Sequence, residues 1–398
     1  MFYSPSQSSH SYFHREHTKS LDDVTFAPHT IYWYDKNDFV PRGIEFGNFL
    51  EEQHWEHVRT DPTAKILMFN PDEYYNWFDV EMWCKAIKKH RINPAQLYIV
   101  VGDENWQEWL IKTMKHFDVE GFHICHFNFL MDRTRVQPKG NNVIATRFAM
   151  LSRNYQKWRL DFYGKLVKKD LLRHFQYTFS NLIPYADMPV FGHDQLIADL
   201  KGMGHEVDST LESWVRGVPY TFDTVAITEK FSDEVYRVIQ TSGINVVIES
   251  HFDPHYFFPQ LKHIKTTDLS IGFPTEKTYK AVASSKPFIM VSTPNFLAEF
   301  RRLGFKTFAP YIDESYDQIY DSQERFEALV NEIERLSKLS EHDFETVLAK
   351  CQEVADYNLT VLIQRKYDMC LTEDFDFLKG LTNDNYHVIM KDNPNRPL

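Results

Sequence analysis

Glycine-rich loops are missing from this sequence. The 398 residues include only 14 glycines, and the patterns GxGxxG, GxSxG and GxxxxGK followed by Ser or Thr do not occur. These patterns build the phosphate cradles of Rossmann dehydrogenases and P-loop kinases and the nucleophile turn of α/β-hydrolases. Their absence argues against all three enzyme classes.

Cysteines and long apolar runs are also scarce. Four cysteines lie far apart and form no CxxC pair, at positions Cys84, Cys125, Cys351 and Cys370. That spacing supports neither a disulfide framework nor a zinc site and predicts reduced, mostly buried thiols. No apolar stretch reaches the ~18–20 residues of a membrane helix, and the first residues lack the apolar region of a signal peptide. We therefore expect a cytoplasmic protein without a membrane span.

Positive charge is in the minority. The chain has 44 Lys and Arg residues against 56 Asp and Glu residues, a net charge of −12. A surface of that sign argues against a protein that coats DNA or RNA. It still allows a local basic cleft for a small phosphorylated ligand. Aromatic residues reach 15%, which predicts core packing and leaves some rings to line a ligand site.

Short apolar runs alternate with helical patterns in the first part of the chain. Four of these runs read as strands, at 29–35, 64–70, 95–105 and 121–128. Between them, apolar residues recur at spacings of three and four, as in helices. Continuous apolar strands alternating with helices are typical of a parallel sheet covered on both faces. We predict a polar arm over 1–25 and a first Rossmann-like domain over 26–140.

The same alternation restarts after a polar segment at 131–142, which we interpret as an interdomain linker. Further strands are predicted at 143–151, 175–181, 244–250, 286–292 and 305–312, with helices at 158–172, 275–285 and 295–304. These elements predict a second Rossmann-like domain over 141–330. The remaining residues, 331–398, are predicted to form charged helices and a tail that packs back on the body. The fold class is therefore α/β, with two parallel-sheet domains facing a cleft.

The densest cluster of candidate binding residues lies in the second predicted domain. Glu249 ends a buried strand, at the edge where such sheets bind ligands. Thr275, Glu276 and Lys277 lie at a predicted helix start, where backbone N–H groups favour an anion. A carboxylate there can accept hydrogen bonds from sugar hydroxyls, and Lys277 can neutralise phosphate. The alternative is that Thr275 and Glu276 form only a helix cap with a first-turn acid.

This stretch resembles the donor-binding segment of fucosyltransferase-like glycosyltransferases with the GT-B fold. The matching pieces are Ile248-Glu249-Ser250, Thr275-Glu276-Lys277 and Lys286-Pro287-Phe288-Ile289, in the same order and at similar spacing. The Asn that follows the acid in that family is missing after Glu249. Later segments also resemble uncharacterised glycosyltransferase-like proteins of large bacteriophages. The resemblance covers roughly 145–330 and implies a nucleotide-sugar donor held there, with an acceptor domain over 26–140.

The resemblance also implies two phosphate-binding arginines. Arg153 follows the predicted strand at 143–151, and Arg159 lies at the start of the next helix. A guanidinium offers a planar fork of donors that suits a diphosphate. The alternative for Arg159 is a solvated helix face that also carries Lys157, Lys165 and Lys168.

Metal-assisted donor binding has little support in the sequence. An Asp-x-Asp motif would hold a diphosphate through a divalent cation. The one match, Asp374-Phe375-Asp376, falls in the irregular tail, so we interpret it as a chance match. We expect no metal and no cofactor, with Arg and Lys side chains neutralising the diphosphate instead.

An inverting transferase also needs a base that takes the proton of the acceptor hydroxyl. We predict that Asp103 or Glu104, which follow the strand at 95–105, supplies it from the first domain. Asp72, Glu73 and His126 are alternatives, and any of these side chains could simply be a solvated loop group.

Three functions remain open at this point. The first is a glycosyltransferase that moves a hexosyl or pentosyl group from a nucleotide sugar to an unknown acceptor, which could be a glycan or a protein. The second is a viral enzyme that glycosylates a modified DNA base in the host cytoplasm. The third is a catalytically silent structural or interaction protein that keeps the GT-B fold.

Overall fold

The protein forms two compact units, Met1–Asp132 with Arg365–Leu398 and Arg133–Gln364. The structure is a computed structural model. It describes residues 18–19, 30–35, 50–69, 77–102, 104–126, 128, 131, 134–137, 143–152, 155–180, 192–220, 233–252, 274–369, 372 and 387–389.

Strands and helices alternate through most of the described chain. The strands are β1 (Thr18–Lys19), β2 (Thr30–Asp35), β3 (Lys65–Phe69), β4 (Leu97–Val101), β5 (His123–His126), β6 (Thr146–Leu151), β7 (Phe175–Thr178), β8 (Ser242–Ile248), β9 (Phe288–Val291) and β10 (His387–Ile389). The helices are α1 (Glu52–Thr60), α2 (Trp77–His90), α3 (Glu104–His116), α4 (Lys157–Lys168), α5 (His193–Gly202), α6 (Ser209–Arg216), α7 (Asp233–Gln240), α8 (Glu276–Ala283), α9 (Phe296–Arg302), α10 (Ser322–Ser337) and α11 (Glu341–Met369).

The first unit is built on a six-stranded sheet in the order β1-β10-β2-β3-β4-β5. Every described pair in this sheet is parallel. Its core contains apolar residues of β3 and β4 together with Trp55 and Trp83, both about 1% exposed. Gln96 connects α1 to the residue that precedes β3, because its side-chain amide donates to the backbone oxygens of Val58 and Ala64.

The second unit is built on a four-stranded sheet in the order β7-β6-β8-β9. All its strand pairs are parallel as well. All seven residues of β8 are buried. Side chains of a strand alternate between two faces, so both faces of the sheet are covered. Two α/β units on parallel sheets confirm the predicted α/β class with two parallel-sheet domains. Among the described helices, none is long and apolar enough to cross a membrane.

The unit boundaries differ from the predicted domains. The first segment of the first unit ends at Asp132, earlier than the predicted domain end at 140. The first unit also includes the residues from Arg365 onward. Helix α10 and most of α11 belong to the second unit, although the sequence predicts a separate segment from 331. The physical reason is contact of later residues with the second sheet. Arg147 of β6 donates to the backbone oxygens of Leu336 and Ser337, and the ring of Phe344 in α11 lies 6.2 Å from that of Phe148 in β6.

The tail and the segment at 305–312 also depart from the predicted elements. Part of the tail forms β10, which lies between β1 and β2. The predicted strand at 305–312 is wrong, because this segment is turn and irregular structure. Its backbone bonds to side chains instead of a neighbouring strand. The Asn358 side chain accepts from the Lys306 N–H at 2.7 Å and donates to the Lys306 oxygen at 2.8 Å.

Three of the four cysteines, Cys84, Cys125 and Cys351, are free and buried, which confirms the prediction for them. Burial raises the pKa of Cys84 to about 11 and that of Cys351 to about 12, so both thiols stay protonated at neutral pH. Cys370 lies outside the described residues.

Replacing Gly243 of β8 by Ala should destabilise the second unit by about 1–3 kcal/mol. A Cβ at this position would lie 2.8 Å from the Phe344 ring and 3.0 Å from the backbone oxygen of Arg147. Gly202→Ala in α5 is the matched control, because nothing lies within 4 Å of its added Cβ. Urea unfolding measures both variants. Equal losses of stability would contradict the tight packing of β8.

Candidate functional site

The connections of the second sheet create a place where a ligand can bind. From β6 the chain passes to β7 on one side, whereas β8 and β9 lie on the other side. Such a reversal is a topological switch point, and open parallel sheets bind ligands beyond the carboxyl ends of the strands there. The relevant ends are those of β6 and β8, which pair with each other at Phe148 and Ile244.

Glu249 follows β8 directly at this edge. Its side chain is 3% exposed. One carboxylate oxygen accepts from the Thr275 N–H at 3.0 Å and the Thr278 hydroxyl at 2.5 Å. The other accepts from the Thr275 hydroxyl at 2.5 Å. The Glu249 carboxylate therefore joins the end of β8 to the start of α8.

The Lys277 ammonium lies among oxygen atoms in the first turn of α8. It is 3.0 Å from Glu276 Oε1 and 3.2 Å from Ser250 Oγ. It is also 3.1 Å from Thr275 Oγ1 and 4.0 Å from Glu249 Oε2. The Lys277 side chain is 22% exposed and that of Glu276 is 8% exposed, so the ammonium is the more accessible of the two charges.

Arg159, in the first turn of α4, brings a second positive charge to this edge. It is 3% exposed, and its guanidinium donates to the backbone oxygen of Glu249 at 3.1 Å. Burial lowers the pKa of Arg159 to about 10, although the negative charges of Glu249 and Glu276 act in the opposite direction. The group therefore remains charged at neutral pH.

Further polar groups lie beside these charges. Ser292, directly after β9, donates from its hydroxyl to the His251 backbone oxygen at 3.4 Å. The next hydroxyl, of Thr293, and the indole N–H of Trp158 are buried and have no hydrogen-bond partner in the part of the chain that the structure describes. Trp158 also stacks on Phe252, which follows β8.

The structure brings five of the predicted site residues together. They are Arg159, Glu249, Thr275, Glu276 and Lys277. Arg153 and Asp103 lie outside the described residues. Glu104 begins α3 in the first unit, just after the end of β4, and its side chain is not described. The roles of these three residues stay predictions.

Two further residues take part in this site, Thr278 and Ser250. The sequence did not indicate a binding or positioning role for either of them. Thr278 bonds Glu249, and Ser250 bonds Lys277. Helical spacing could have indicated Thr278, because residues three apart share one face of a helix and Thr275 lies three positions earlier.

The described part of the chain contains no group of three or more His, Cys, Asp or Glu side chains that could hold a metal ion. The motif Asp374-Phe375-Asp376 lies outside the described residues.

No protein-family model matches the sequence, and no curated protein matches it. Among solved structures, the chain is similar to the GtfA/B complex, with 11% identity over 83% of this chain and a TM-score of 0.38. It is also similar to the pneumococcal O-GlcNAc transferase GtfA in complex with UDP and GlcNAc, with 11% identity over 79% of this chain and a TM-score of 0.40. This chain spans about half the length of those two, covering 55% and 53% of them.

A third similar structure is trehalose-6-phosphate from E. coli bound with UDP-2-fluoro glucose. The identity is 10% and the TM-score is 0.45, with 90% of this chain and 74% of that chain covered. Similarities of this size assign no activity or ligand to the present chain.

Replacing Glu249 by Ala should destabilise the second unit by about 2–4 kcal/mol, because it leaves the buried Thr275 and Thr278 donors without their acceptor. Thr278→Val, which removes one of the three hydrogen bonds, should cost about 1–2 kcal/mol. Glu345→Ala on α11 is the control, since this exposed acid should change stability by less than about 0.5 kcal/mol. Chemical unfolding of the three variants measures their free energies of unfolding and tests the expected order of the three losses. A Glu249→Ala variant as stable as Glu345→Ala would contradict the role given to this carboxylate.

Proposed function

We propose that the protein is a glycosyltransferase that binds a nucleotide-sugar donor at the carboxyl edge of the second sheet. The observation that carries the proposal is the convergence of Arg159, Glu276 and Lys277 on one switch point of a parallel sheet. Two cations suit a diphosphate, and a carboxylate suits hydroxyl groups. The resemblance of residues 145–330 to a fucosyltransferase-like donor segment supports a sugar as the group transferred.

The chemistry requires that negative charge be stabilised as the donor breaks. The acceptor oxygen bonds to the anomeric carbon, the bond from that carbon to the diphosphate breaks, and its electron pair leaves with the nucleoside diphosphate. Lys277 and Arg159, with the amino end of α8, would stabilise the charge that builds on the leaving group. Because these groups provide positive charge from the protein itself, we propose that transfer needs no metal ion.

A base must remove the proton of the acceptor hydroxyl if the enzyme inverts the sugar. We propose Asp103 or Glu104 for this role because both follow the carboxyl end of β4 in the first unit. Such strand ends are where α/β sheets place catalytic side chains.

A thermal-shift screen with UDP, GDP, CMP and their sugars tests donor binding without knowledge of the acceptor. A ligand at 100 times its Kd stabilises the folded protein by about 2.7 kcal/mol, which shifts the unfolding temperature measurably. We expect one nucleotide family to produce such a shift, with or without EDTA. A flat response to the whole panel would favour a silent scaffold and contradict the proposal.

Lys277→Met should weaken binding of the nucleoside diphosphate identified by that screen about tenfold, because one charge-assisted contact to phosphate is lost. Lys165→Met is the matched control. Lys165 is 18% exposed and ion-paired to Glu327 at 2.6 Å, so it resembles Lys277 in burial and pairing but lies outside the site. Titration calorimetry at fixed salt measures both variants. Equal affinities of the two variants would place the phosphates elsewhere.

A further inference from the structure

The Lys277 ammonium donates hydrogen bonds to Thr275 and Ser250 and is ion-paired to Glu276. A lysine ammonium has three N–H donors. Three oxygens lie within 3.2 Å of it, on Glu276, Thr275 and Ser250. Only one of these partners, Glu276, carries a negative charge. A phosphate that approaches the ammonium must therefore compete with the Glu276 carboxylate.

Glu276 acts on both cations of the site. It is ion-paired to Lys277 at 3.0 Å, and its negative charge also favours the charged form of buried Arg159. Glu249 differs from Glu276 in its partners, because the oxygens of Glu249 accept hydrogen bonds from Thr275 and Thr278. Among the described residues of the site, the two cations are thus balanced by two carboxylates, which lowers the attraction of these cations for a simple anion.

Displacement of Glu276 from Lys277 has a cost that depends on the incoming ligand. The Glu276 side chain is only 8% exposed, and a buried carboxylate that loses an ion-pair partner is destabilised. A ligand that carries only phosphate offers no hydrogen-bond donor in exchange. A ligand that also carries hydroxyl groups can donate to the released carboxylate.

We infer that Glu276 is a specificity-determining residue, which makes the site reject phosphate-only anions and select ligands that carry a diphosphate and hydroxyl groups together. This inference rests on the proposed function, since it concerns the same donor site. It requires that Glu276 weaken the binding of one ligand class and strengthen that of the other.

A purely structural role of Glu276 has a different signature. An acid in the first turn stabilises a helix through the helix dipole. Removal of such an acid lowers stability and shifts the affinity of all anionic ligands in the same direction. Opposite shifts for two ligands arise only if Glu276 competes with phosphate and also binds hydroxyl groups.

The test is titration calorimetry of the full chain with inorganic pyrophosphate, UDP and GDP, on the wild type and on Glu276→Gln. We expect the substitution to tighten pyrophosphate binding about tenfold and to weaken the better-bound of UDP and GDP about tenfold. Glu324→Gln is the matched control, because Glu324 is an exposed first-turn acid of α10 and its replacement removes the same charge. Glu324→Gln should change the affinity for pyrophosphate and the affinity for the better-bound nucleotide by no more than about twofold.

Circular dichroism establishes that each variant is folded. If Glu276→Gln does not fold, Glu276→Asp replaces it, because the shorter side chain keeps the charge but draws the carboxylate away from Lys277. The same opposite shifts are then expected, at smaller size. Pyrophosphate binding that is unchanged or weaker in the folded variant overturns the inference, as does tighter binding of both ligand classes.

The failure of the proposed function gives a separate result. In that case the wild type binds UDP and GDP no more tightly than pyrophosphate. If pyrophosphate binding nevertheless tightens in Glu276→Gln, the competition between Glu276 and phosphate is supported and the nucleotide site is contradicted.

Discussion

The buried carboxylate of Glu249 is the interaction on which the rest of the site depends. It accepts three hydrogen bonds from Thr275 and Thr278, which joins the end of β8 to the start of α8. A carboxylate can be buried when its oxygens are satisfied in this way. The result is that the first turn of α8, with Glu276 and Lys277, is held beside the end of a rigid, fully buried strand.

The remaining charges are arranged around that connection. Arg159 reaches the backbone oxygen of Glu249 from α4, and Lys277 reaches Ser250 from α8, so both cations contact the residues that directly follow β8. Packing maintains this arrangement, because Trp158 stacks on Phe252 and Phe252 stacks on Phe326 of α10. The elements α4, β8 and α10 therefore hold the backbone of these residues in place by packing.

Sequence patterns predict the parts of this molecule that follow from local periodicity. The strands predicted at 64–70 and 244–250 and the helix predicted at 275–285 overlap β3, β8 and α8, because apolar runs and cap residues are local signals. The segment at 305–312 has the composition of a strand, but its backbone bonds to Asn358, more than 40 residues away, which no local pattern reveals. The same limit applies to β10 and to the hydrogen bond between Thr278 and Glu249, since both depend on tertiary pairing.

The most direct test of this account is a crystal structure of the protein with the nucleoside diphosphate that binds it most tightly. The account predicts phosphate oxygens within about 3 Å of the Lys277 ammonium, beyond the carboxyl ends of β6 and β8. It also predicts that the Glu276 carboxylate has turned from Lys277 toward a hydroxyl group of the ligand. A diphosphate bound away from this edge, with the pair of Glu276 and Lys277 intact, would contradict it.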